Sequence, residues 1–136
     1  MRNKIDEKII ELLMSYGRMP INEIAERCGV SEATARNRIA SLIEEKVILG
    51  YKARIKPGSG IEQVIIGIDV LPERYVHVAD ALKSNPEIKE LYKTSGDHSM
   101  VAIASLSGDP SALIKSIEKI SGVAKVYPAF IQGVVK

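Results

Sequence analysis

Ile21-Asn22-Glu23-Ile24-Ala25-Glu26-Arg27-Cys28-Gly29-Val30-Ser31-Glu32-Ala33-Thr34-Ala35-Arg36-Asn37-Arg38-Ile39-Ala40-Ser41-Leu42 is the stretch that decides the fold of the first half. It reads as a short helix, a tight turn and a longer capped helix, which is helix-turn-helix spacing. Pro20 suits the first turn of the short helix, whose apolar face is Ile21, Ile24, Ala25 and Cys28. Gly29 takes the left-handed conformation that stops it, Val30 plugs the space between the helices, and Ser31 caps the next one. Ala35, Ile39, Leu42 and Ile43 then point inward.

The opposite face of that longer helix carries the chemistry. Rotation by 100° per residue places Ala33, Asn37 and Ala40 outward, flanked by Thr34, Arg36 and Ser41. The face is small and uncharged at its centre, with one Asn and an Arg at its edge. A major groove admits such a helix and offers paired sites to Asn and acceptors to Arg. Its middle lacks the acidic groups that phosphate would repel. Glu32 sits in the first turn, where the helix dipole favours it, and a cytosine amino group is within its chemistry. Thr34, Arg36, Asn37 and Ser41 are therefore the expected base readers, with Ser31 and Arg38 toward the DNA backbone. A structural salt bridge from Arg38 to Glu44 or Glu45 is the competing expectation.

A first helix precedes this stretch. Asp6 is placed to cap it, Ile5, Ile9, Leu12, Leu13 and Tyr16 form its inner face, and Gly17 ends it. After the third helix, Gly50 closes the run and Tyr51–Ile55 alternates like a strand. Lys56-Pro57-Gly58-Ser59-Gly60 breaks the chain. The expected organisation is a helix-turn-helix (winged-helix-like) domain over 1–50, a connecting strand and linker over 51–61, and a second domain over 62–136.

The second half reads β-α-β-β-α-β. Strands are expected at Gln63–Leu71, Glu87–Ser95, Ser99–Leu106 and Val123–Val134. One helix runs from Pro72 to about Asn85, with Val76, Ala79 and Leu82 inward, and another starts at Asp109-Pro110. The fold class is α+β, with a ferredoxin-like C-terminal domain: four antiparallel strands, both helices on one face. The other face stays bare, yet the strands carry apolar residues on both sides. A second copy of the chain is the expected cover, with the N-terminal helices folded back over the sheet as the competing expectation.

Composition narrows the function classes. The chain has 136 residues, 46% of them hydrophobic, enough for a packed core. Its net charge of +2 is too small for a protein that coats nucleic acid by charge alone. Residues 1–56 carry 11 Lys and Arg against 8 Asp and Glu, so the surplus lies in the half with the helix-turn-helix. One cysteine and two histidines provide neither a disulfide framework nor a metal cluster, and no cofactor is expected. With neither a signal-peptide pattern nor a membrane-length apolar run, the expected location is cytoplasmic.

Several stretches together resemble one family. Ile5-Asp6, Ile9-Ile10, Leu12-Leu13, Gly17-Arg18, Ile24-Ala25, Val30-Ser31, Arg38-Ile39, Leu42 and Val47-Ile48-Leu49-Gly50-Tyr51 look like the DNA-binding domain of the Lrp/AsnC, or feast/famine, transcription regulators. Thr94-Ser95-Gly96 and Ser121-Gly122-Val123 resemble turns of that family's effector-binding and assembly domain. The resemblance implies a sequence-specific regulator that binds double-stranded DNA as a homodimer, with tetramers or octamers as higher assemblies. It also implies an amino-acid effector near the glycine turn, at Gly96, Asp97, His98 and Ser99. Where the family often has Asp three residues after the turn glycine, this chain has Ser99, a neutral hydroxyl in place of an ammonium partner. Three other readings compete: an architectural DNA-binding protein, a metabolite sensor with a vestigial DNA-binding domain, and a tetrapyrrole decarboxylase-like enzyme using His98 beside Asp97.

Overall fold

The computed structural model describes residues 3–136. They form two compact units that divide between Arg54 and Ile55. The first holds α1 (Lys4–Ser15), α2 (Ile21–Cys28) and α3 (Glu32–Glu44). Ile9 and Leu12 of α1, Ile24 and Ala25 of α2, and Ala35 and Leu42 of α3 are its buried core, with Val30 and Ile39 packed against it. Leu42 is fully buried, so its truncation to Ala would cost about 2–5 kcal/mol.

Local chemistry sets the turn between α2 and α3. Gly29 lies at φ 67°, ψ 34°, the left-handed region that ends a helix, and its N–H reaches back to Ala25 and Glu26 carbonyls. The Ser31 side chain then accepts the Thr34 N–H and starts α3.

The N-terminus of α1 differs from expectation. Asn3, not Asp6, is the cap: its side chain accepts the Asp6 N–H at 2.7 Å. Asp6 thus falls within the first turn of the helix and points inward, 1% exposed. Tyr16 lies beyond the last helical residue and is exposed, and Ile43 is about half-exposed rather than inward. The strand expected over Tyr51–Ile55 is absent from the described residues. Alternation alone makes no strand; a neighbour must complete the ladder.

The second unit holds β1 (Glu62–Val70), α4 (Tyr75–Lys83), β2 (Ile88–Lys93), β3 (Met100–Leu106), α5 (Ser111–Glu118) and β4 (Val123–Phe130), with a 3₁₀ turn at Pro72–Arg74. The sheet order is β2-β3-β1-β4, and every neighbouring pair is antiparallel. This is the ferredoxin-like arrangement. Val64, Ile66, Ile68 and Val70 of β1 and Met100, Ala102, Ala104 and Leu106 of β3 face Val78 and Leu82 of α4 and Leu113 and Ile117 of α5. α4 begins at Tyr75 after the 3₁₀ turn, and rotation by 100° per residue sets Val78 with Ala79 and Leu82 on the inner stripe, so Val78 is buried while Val76, expected inward, is 71% exposed. The alternate residues of the strands, among them Ile65, Val101 and Ile103, lie on the helix-free face.

Candidate nucleic-acid interface and glycine turn

The outer face of α3 is built as its rotation predicts. Glu32, Ala33, Thr34, Arg36, Asn37 and Ala40 are exposed, and Ser41 is half-buried at the edge of the core stripe. Ser31 is committed to its own helix: besides accepting the Thr34 N–H, its hydroxyl donates to Thr34 Oγ1 at 3.0 Å. On α2, Arg27 and Glu23 pair one turn apart.

Arg38 behaves differently from its neighbours. Its Nε and Nη2 donate to the two carboxylate oxygens of Asp6 at 2.8 and 2.6 Å, a fork-on-fork pair joining α3 to α1. The salt bridge expected with Glu44 or Glu45 is therefore made with Asp6, because the inward turn of Asp6 brings its carboxylate under α3. Bonding to Asp6 raises the Arg38 pKa above its ordinary value, with Glu45 contributing at longer range. Placed as a cap, Asp6 gives no sign of this clamp in the sequence. The remaining signal was an acid set among the apolar residues of α1.

The four residues of the glycine turn divide into two pairs. Gly96 (φ 101°) and Asp97 are exposed at the tip. His98 and Ser99 fold back onto β1. The Ser99 N–H donates to the Ile68 carbonyl at 3.1 Å, and its hydroxyl oxygen accepts the Val70 N–H at 3.2 Å. Thr94 closes the turn, its N–H on the Ser99 carbonyl and its hydroxyl on the His98 carbonyl. The His98 imidazole lies on the helix-free sheet face, with Nδ1 3.0 Å from Asp69 Oδ1 and the ring 4.6 Å from that of Tyr127. Its acid partner is thus Asp69, not the adjacent Asp97. Among the described residues no group of three metal-ligating side chains occurs.

Two further features lie outside the sequence reading. At the turn's end of the sheet, Arg74 packs across Gly122, and Arg74 Nε is buried with no hydrogen-bond partner among the described residues. At the other end of β1, a cavity of about 420 Å³ opens between Pro57, Glu62, Pro110, Phe130 and Gln132. The cavity and the glycine turn are therefore separate features.

Residues 2–48 match the family model for winged helix-turn-helix DNA-binding domains, and residues 63–136 match that for the Lrp/AsnC ligand binding domain. The chain belongs to the Lrp/AsnC family of transcription regulators. It is 42% identical over 131 residues to the HTH-type transcriptional regulator LrpA of Pyrococcus horikoshii, covering 93% of each chain. It is 36% identical to the regulator Ptr1 of Methanocaldococcus jannaschii, over 94% of this chain and 84% of that one. The leucine response regulatory protein of Mycobacterium tuberculosis shares its fold, with a TM-score of 0.75 at 24% identity, over 99% of this chain and 95% of that one. So does a transcriptional regulator of Neisseria meningitidis in complex with L-Met, at a TM-score of 0.69 and 20% identity, over 100% and 93%. The Lrp/AsnC assignment makes the chain a DNA-binding regulator of a self-associating family, with a ligand-binding domain suited to effector control, and not an enzyme. No described helix is long and apolar enough to cross a membrane.

Proposed function

We propose that this regulator reads DNA with Thr34, Arg36, Asn37 and Ser41 of α3, presented in pairs by a homodimer to successive major grooves ~34 Å apart. The observation that carries the reading is the outer face of α3: Asn37 stands exposed at its centre, with Thr34 and Arg36 exposed beside it. Glu32 lies at the N-terminal end of that face. Ser31 and Arg38 serve chiefly to hold α3, as cap and clamp, at the edge nearest the DNA backbone. An amino-acid effector would engage the turn at Gly96, Asp97, His98 and Ser99 and favour one assembly over another. Domain limits of 1–50, 51–61 and 62–136 accommodate this division of labour.

Self-association is assigned to the helix-free sheet face. Ile65 is 39% exposed there, and Tyr92 and Tyr127 are exposed beside the half-buried Val101 and Ile103. A two-fold partner would cover this patch with its own copy. The test is binding to a selected DNA site at one fixed salt. Asn37→Ala and Arg36→Ala should each weaken it by about 1–3 kcal/mol and relax preference at one base position. Unchanged affinity and preference in both variants would remove α3's outer face from the reading.

A further inference from the structure

His98 belongs both to the glycine turn and to the helix-free sheet face. Its side chain starts in the glycine turn but ends on the sheet face. The ring occupies the space that a side chain at position 67 would fill: a Cβ built on Gly67 would lie 2.5 Å from His98 Cδ2 and 2.7 Å from Nε2. Gly67 lies at the centre of β1, opposite Val101 on one side and Tyr127 on the other. The imidazole therefore sits among Ile65, Val101 and Tyr127, held at one edge by Asp69. Lys125, in register with Asp69, places its ammonium 4.8 Å from the Tyr127 ring centre. The glycine in a Val- and Ile-rich strand thus has a specific cause: it is the seat of a histidine from another loop.

We propose that His98 couples the glycine turn to self-association, its imidazole seated on Gly67 forming part of the surface that a second copy covers. The proposal rests on the reading that this sheet face docks a second copy. Movement of the turn then moves the ring, and a moved ring changes the shape of the docking face. Close-packed surfaces tolerate such a change poorly. Conversely, a docked copy pins the ring and so stiffens the turn.

Sedimentation across a concentration series, on the full chain, compares wild type with Gly67→Ala, His98→Ala and the double variant. Alanine suits strand backbone, so the ring is what Gly67→Ala must displace. Gly67→Ala should weaken self-association about tenfold or more, and should cost almost nothing in the His98→Ala background, where the seat is empty. Hydrogen exchange at the amides of residues 96–99 should slow as wild type associates and stay unchanged in His98→Ala. Equal self-association of wild type, Gly67→Ala and His98→Ala would overturn the coupling alone. So would an equal Gly67→Ala penalty with and without His98. A wild type that stays monomeric at every concentration would overturn the docking reading and the coupling with it. His98→Ala alters only a partly exposed turn side chain, so it still decides if Gly67→Ala fails to fold.

Discussion

Removing the guanidinium from Arg38 should damage the N-terminal unit more than removing the carboxylate from Asp6. The pair is bidentate, at 2.8 and 2.6 Å, and its side chains differ in access to water: 33% exposed for Arg38, 2% for Asp6. Arg38→Ala takes from a buried carboxylate both of the bonds it accepts from Arg38 of α3. Taking a charged hydrogen-bond partner from a buried carboxylate costs about 2–3 kcal/mol, a large share of the stability of any small unit. In Asp6→Ala the guanidinium swings to solvent, so the loss is smaller, about 1–2 kcal/mol. The double variant should fall well short of the sum, with a coupling energy of about 1–3 kcal/mol. Chemical unfolding followed by helical circular dichroism reads all four proteins. An Arg38→Ala variant within about 0.5 kcal/mol of wild type, or strictly additive single effects, would refute the clamp.

Four further outcomes follow from local geometry. Gly122 sits at φ 103°, and a Cβ there would lie 2.3 Å from Arg74 Cβ, so Gly122→Ala should lower the melting temperature by several degrees. Arg74→Met, which removes the buried partnerless Nε, should be neutral or stabilising in the same scan. Burial pushes the Cys28 thiol up against a smaller opposing pull from Lys8, so at pH 8 it should react with a disulfide reagent more slowly than free cysteine, and unfolding should abolish the difference. The Ser111 N–H and hydroxyl hold the Asp109 carboxyl below its ordinary value. Its contribution is thus present above the ordinary carboxylate range and lost as pH falls through the lowered value; Asp109→Ala should flatten that acid limb of a melting-temperature series.

Much of this architecture was legible wherever the signal is local. The turn Cys28-Gly29-Val30-Ser31 specifies itself, because a left-handed residue and a hydroxyl cap are requirements of backbone chemistry. The β-α-β-β-α-β order follows from alternation and from Gly and Pro punctuation. What escaped depends on contacts between distant residues. Asp6 looks like a cap until Asn3 takes that role and Arg38, 32 residues away, claims the carboxylate. Val76 reads as inward from its spacing to Ala79 and Leu82, but the stripe through Val78, Ala79 and Leu82 leaves it facing solvent, and only packing on the sheet chooses between the two valines. His98 read as a polar turn residue beside Asp97. Gly67, a lone glycine inside a Val- and Ile-rich strand, was the available sign that something approaches that strand closely.

In the proposed complex two copies of α3 read one DNA site together. A footprint on the DNA upstream of the protein's own gene, at one fixed salt, tests it most directly. Discrete protection is expected in two segments spaced by about one helical turn, ~34 Å, abolished by Asn37→Ala together with Arg36→Ala. Diffuse protection that disappears with a modest rise in salt, and is the same for wild type and that double variant, would contradict it.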